Sequence, residues 1–157
     1  MKAASIKEIK TELSKLSREE ILVLCIQLSK FKKENKELIT YLLFESENED
    51  YFIESVKNEI DLQFENINTK TYYYIKKSVR KILRSIKKYI RYSKLVETEV
   101  SLLLHFCVKL KDFKPSIHHN NLLLNIYNRE LTNVKKKITL LHQDLQYDYN
   151  IEIKKLS

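Results

Sequence analysis

Not one glycine occurs among the 157 residues, and Pro115 is the only proline. Hairpin turns depend on residues that accept positive φ, and strands are punctuated by glycine and proline, so a chain lacking both is steered toward helices. Its length suits one ordinary domain, which removes roughly 70% of its unfolded surface from water without needing metals or disulfides. The expected fold class is therefore all-α: a single compact domain over residues 1–157, with about six or seven helices packed as antiparallel helical pairs.

Lysine, isoleucine, leucine, asparagine, glutamate and tyrosine dominate, and the formal net charge is +8. Lys, Ile, Asn and Tyr share AT-rich codons, so part of that charge follows from base composition alone. Only clustered cations make a field strong enough to attract polyanions. Cys25 and Cys107 stand apart in apolar surroundings, the pattern of reduced, buried thiols rather than of a disulfide framework. Met1 to Lys10 lacks the apolar core of a signal peptide, and the longest apolar run, Ile21 to Ile26, is too short to span a bilayer. A cytoplasmic location without a membrane span is expected.

Helix starts are marked by their caps. Ser5 can cap a short first helix, to about Leu13. Ser17 and Glu20 form a capping box, with Leu16 and Ile21 placed as a hydrophobic staple. The helix from Arg18 to about Lys32 is apolar on most of its circumference and is the expected central, most buried element. Asn35 can cap a third helix with Leu38, Ile39, Leu42 and Leu43. After a polar linker, Glu45 to Asp50, Asn48 can open a helix to about Ile67. Its inner face carries Phe52, Ile53, Val56, Ile60, Phe64 and Ile67; its outer face is acidic. Thr71 can cap a helix to about Tyr92, and Ser93 the next, which carries Val100, Leu103, Leu104, Cys107 and Leu110. Pro115 enforces a break, and one long helix is expected from about Ile117 to His142. From Leu145 to Ile153 the apolar residues alternate as in a strand, while Leu145, Tyr149, Ile153 and Leu156 fit a helix. With no other strand to pair with, the helix is favoured for the tail, 144–157, although both patterns are present.

Lys70, Lys76, Lys77, Arg80, Lys81, Arg84, Lys87, Lys88, Arg91 and Lys94 fall within one segment that contains no acidic residue. On a helix, Tyr72, Ile75, Val79, Ile82, Leu83, Ile86, Tyr89 and Ile90 gather on a face about 120 degrees wide, leaving the cations outside. Arg80, Arg84 and Arg91 align with Tyr73, flanked by Lys77 and Lys88. Three of the five arginines thus share one line in a chain that otherwise prefers lysine. Guanidinium forks engage carboxylates or phosphates with two bonds, so Lys77, Arg80, Lys81, Arg84, Lys88, Arg91 and Tyr73 form the candidate anion- or partner-binding surface. A solvated or internally paired face accounts for the same pattern. So, in decreasing order, do a docking surface for an acidic protein, a backbone-directed nucleic-acid contact and an anionic membrane surface.

Without glycine there is no phosphate-cradling loop, dinucleotide fingerprint or nucleophile elbow. His105, His118, His119 and His142 include no pair at the i, i+4 spacing of helical metal ligands. His142 and Asp144 could orient an imidazole, but no serine or cysteine lies near them in sequence. No arginine has a histidine four to six residues on, as certain helical ribonucleases do. No catalytic residue, metal site or cofactor is expected. Polar side chains from distant segments meeting in one pocket would be the sign of an enzyme.

Leu13-x-x-Leu16-Ser17-x-Glu19-Glu20-Ile21, then Asn35-Lys36-Glu37 leading into Tyr41-Leu42-x-Phe44, resemble a family of small, uncharacterised helical bacterial proteins of unknown function. The resemblance continues through the basic helix, Glu99 to Leu110, Asn121 to Ile138 and His142-x-Asp144-Leu145. It implies an all-helical fold and no activity, since these motifs are capping and packing signals. The functional expectation is a non-enzymatic interaction or scaffold module, with nucleic-acid binding through residues 70–94 as the alternative.

Overall fold

Short polar side chains at helix entrances set half of the helix starts. In a computed structural model describing residues 1–156, Ser5 and Glu8 close a reciprocal capping box at the start of α1 (Ile6–Leu13). Ser17 and Glu20 do the same for α2 (Arg18–Phe31), with Glu20 N–H donating to Ser17 Oγ at 3.2 Å and Ser17 N–H to Glu20 Oε2 at 2.8 Å. Each box satisfies two backbone donors that the first helical turn leaves without partners.

The chain divides into two compact units, Met1–Phe44 and the remainder from Glu45 onward. The first contains α1, α2 and α3 (Lys33–Thr40), the last running into a π-helical turn, Tyr41–Glu45. α3 starts ahead of the expected cap. Extended Lys32 separates it from α2, and Asn35 Nδ2 reaches back 2.8 Å to the Leu28 carbonyl, one of the acceptors left open at a helix C-terminus.

In the second unit, α4 (Glu49–Glu65) is capped by Asn48, whose Oδ1 accepts from Tyr51 N–H at 3.1 Å. It buries Phe52, Ile53, Val56, Ile60 and Phe64, the apolar face legible in its spacing. α5 (Tyr72–Ser93) ends at Lys94, which takes the left-handed conformation with φ 60° and donates its N–H to Ile90 at 2.8 Å. α6 (Val96–Asp112) follows with no side-chain cap. Ser93, the expected cap, is instead the last residue of α5, and its hydroxyl and that of Thr98 both donate to Glu49 Oε1.

α6 is the central element, packed against α4, α5, α7 (Asn121–Ile138) and α8 (Gln143–Leu156). Val100, Leu102, Leu103, Leu104, Phe106, Cys107 and Leu110 are all at most 1% exposed. α2, expected in that position, buries none of its residues. Both helices are apolar on most sides, but α6 lies between amphipathic helices that precede and follow it in the chain, each with a face to cover. α2 has only two short helices within its unit.

The expected helix from Ile117 to His142 is broken. Ile117–His119 form a 3-10 turn with Ile117 fully buried, and Asn120 Oδ1 then accepts from the N–H groups of Leu122 and Leu123, both at 3.2 Å, to start α7. An asparagine that bonds to nearby backbone donors competes with helix continuation. The tail is helical: Ile153 is buried, Leu145, Tyr149 and Leu156 are half-buried, and Tyr147 and Ile151 face solvent. This separate helix brings the count to eight among the described residues, above the expected six or seven. No helix of the described residues is long and apolar enough to cross a membrane.

Removing a side chain packed on all sides leaves a cavity, whereas trimming an exposed one does not. Leu103→Ala should cost about 3 kcal/mol in urea denaturation, and Leu28→Ala, at a position 57% exposed, no more than about 0.5 kcal/mol. Lys94→Gly should raise stability by about 0.5 kcal/mol in the same measurement, because glycine occupies the left-handed region without a Cβ clash.

Candidate functional site

α5 is amphipathic because its apolar residues recur every three or four positions, and α4 and α6 pack against it. Ile75, Val79, Ile82, Leu83 and Ile86 are buried, which turns the intervening cations outward. Lys77, Arg80, Lys81, Arg84, Arg91 and Tyr73 are all exposed. Lys88 is half-buried, with Nζ 4.7 Å from the centre of the Tyr89 ring. Of the tyrosine triplet, Tyr72 is half-buried and donates to the Ser116 carbonyl at 3.2 Å, while exposed Tyr73 and Tyr74 stack edge to face at 5.4 Å.

No carboxylate of the acidic helix pairs with Arg80, Arg84 or Arg91 among the described residues. Glu59 Oε2 accepts from the Tyr89 hydroxyl at 2.8 Å. Asp61 instead meets α6, with Oδ1 2.6 Å from His105 Nε2 and 3.1 Å from Lys109 Nζ. Arg80, Arg84 and Arg91 take part in no ion pair or hydrogen bond among the described residues. Guanidinium groups in water without a carboxylate nearby keep their full charge for an incoming anion.

Not all of the predicted residues converge. Arg80 and Arg84 face α7 across a groove of about 650 Å³, and Lys87 and Arg129 complete its cationic rim. Leu83, Ile126 and half-buried Leu122 supply apolar lining, and Asn125 is the uncharged polar group. Lys77, Lys81, Lys88, Arg91 and Tyr73 lie outside the groove, along the remainder of α5. The α7 contribution is what sequence reading missed. One signal was available: Arg129 is one of only five arginines in a lysine-rich chain.

Beneath the rim, Glu130 is 1% exposed. Its Oε1 accepts from Lys87 Nζ at 2.9 Å and from Arg129 Nε at 2.8 Å, and Arg129 adds an ion pair through a terminal guanidinium nitrogen at 2.8 Å. A buried carboxylate is tolerable only with such partners, so Glu130 fixes where two rim cations stand. It neutralises one of the four rim charges and leaves a surplus. Burial, followed by the Glu130 charge, also pushes the Cys107 thiol up to about 12, which keeps it protonated.

A second cleft, of about 280 Å³, gathers Lys57, Ser101, His105, Asp148, Tyr149 and Glu152 from α4, α6 and α8. Here polar groups from distant segments do meet. Burial pushes the Tyr149 hydroxyl up, a hydrogen bond with Ser101 opposes that, and nearby carboxylates add to the rise. The Ser101–Tyr149 contact fastens α8 to α6, and His105 Nε2, facing Asp61, fastens α6 to α4. His118 and His119 are exposed on the 3-10 turn, and His142 Nδ1 lies 3.4 Å from Asp144 Oδ2 on the surface. No cluster of three or more histidine, cysteine or carboxylate side chains that could hold a metal ion occurs among the described residues.

Burial pushes the Asp61 carboxyl up, but hydrogen bonds from His105 and Lys109 and their positive charges outweigh it and hold the group below its usual range. A depressed folded-state value contributes stability above the unfolded value of about 4, and that contribution is lost as pH falls through the lower folded value. Urea midpoints measured at about pH 6 and pH 3 should therefore differ less in Asp61→Asn than in wild type.

The chain matches no family model, no curated protein and no solved structure.

Proposed function

We propose that the chain is a non-enzymatic, cytoplasmic interaction module, one of the small helical bacterial proteins that its motifs resemble, and that it docks an acidic segment of another protein. Antiparallel packing of successive helices would provide the scaffold. The observation carrying this reading is the composition of the α5–α7 groove. Arg80 and Arg84 stand unpaired on its rim, and Leu83, Leu122 and Ile126 line it with apolar surface. A cationic rim over apolar lining complements a segment with carboxylates beside a leucine or phenylalanine. The apolar anchor supplies affinity, and the charge pairing supplies orientation and encounter rate. A phosphate backbone would use the rim and leave the apolar lining unmatched.

Nucleic acid is the second reading, and the cations outside the groove favour it. Lys77, Lys81, Lys88 and Arg91 extend the ridge along α5, whose 22 residues span about 33 Å. Such a line can follow a backbone without reading bases.

Fluorescence anisotropy separates the two readings. A labelled helical peptide of alternating glutamate and leucine pairs and a labelled DNA duplex would be titrated at about 50 to 300 mM salt. Peptide binding should persist across that range and weaken roughly tenfold or more in Arg80→Glu/Arg84→Glu. Duplex binding that exceeds peptide binding, with a log-log salt slope near −5 for about six phosphate contacts, would replace the first reading with the second.

A further inference from the structure

The first unit holds apolar surface for which it has no use internally. Among residues 1–44 only Tyr41 is buried. On α2, Leu22 is 61%, Val23 65% and Ile26 49% exposed. A helix with apolar side chains on most of its surface belongs in an interior, and segments of about 40 residues usually need an added crosslink or association to be stable.

The exposed residues form an ordered pattern. At about 100 degrees per residue, Glu19, Leu22, Val23, Ile26 and Lys30 lie on one stripe of α2, with a carboxylate at one end, an ammonium at the other and only apolar groups between. Both charged ends are exposed, and neither takes part in an ion pair or hydrogen bond. Ile21 and Leu24, on the opposite side, are the least exposed of its large aliphatic side chains, at 38% and 37%.

We propose that this stripe packs against the same stripe of a second copy of the chain, with the two α2 helices antiparallel about a two-fold axis. The stripe is its own complement in that orientation alone. With the helix midpoints, between Leu24 and Cys25, superposed on the axis, Glu19 faces Lys30 of the second copy at both ends, and Val23 faces Ile26 twice in the middle. A parallel arrangement would set Glu19 against Glu19 and Lys30 against Lys30. Isologous contacts of this kind close into a dimer and do not propagate.

Sedimentation equilibrium of the full chain, from about 1 to 100 μM, tests the pairing. Wild type should form a reversible dimer, and Val23→Asp should be monomeric with unchanged far-UV circular dichroism. Glu19→Lys and Lys30→Glu should each weaken self-association about tenfold, because like charges then meet at both ends. Mixing these two variants in equal amounts, or combining both changes in one chain, should restore it. A monomer throughout, as would follow if the stripe is covered by the rest of the same chain or by an unrelated protein, would overturn the proposal. So would a dimer indifferent to these changes, or one that the charge exchange does not rescue.

Discussion

The enclosure of α6 governs the second unit. Its middle turns are apolar nearly all round, and seven of its side chains are within 1% of complete burial, so that stretch cannot remain against water. A helix of that kind demands neighbours that each present one apolar face. α4, α5 and α7 meet the demand with side chains spaced three and four apart, and the same spacing turns their charges outward. The cationic ridge of α5 is thus a geometric by-product of the core as well as a candidate surface for recognition. What the core does not explain is why three of the five arginines fall on that ridge, or why a fourth meets two of them from α7.

Glu130 connects the two aspects. A carboxylate at 1% exposure is costly unless its charge is answered, and here Lys87 and Arg129 answer it from the solvent side. The arrangement draws a cation from α5 and one from α7 toward a common point. Their lysine and guanidinium stems therefore spend less time sampling solvent, and a ligand meeting the rim has less conformational freedom to remove. Arg80 and Arg84 are exposed and have no such tether. The groove thus combines two tethered charges with two untethered ones.

Local chemistry was the legible part. Ser5, Ser17 and Asn48 announced three helix starts because capping involves residues only two or three positions apart. The inner faces of α4 and α5 were legible for a similar reason, since periodicity along one helix needs no knowledge of its neighbours. Competition was harder to read. Ser93 could have capped α6, but Glu49, far away in sequence, accepts its hydroxyl. Asn35 could have capped α3, but the open carbonyl of Leu28 holds its amide. Asn120 ended a helical pattern that periodicity alone would have continued. α2 and α6 look alike in composition, and choosing the buried one required knowing which had enough partners. Arg129 reached the groove through the packing of α7, which no spacing rule encodes.

The two cysteines stand at opposite extremes of this arrangement. Cys25 is exposed on α2, whereas Cys107 lies at 0% exposure inside the α6 core with its thiol pushed up to about 12. Thiolate and access are both required for alkylation or disulfide exchange. Cys107 therefore reacts only when the core opens, and Cys25 requires no such opening. The pair gives the chain an internal clock: the delay between the first and second modification by a thiol reagent reads the opening frequency of the core, without any added label.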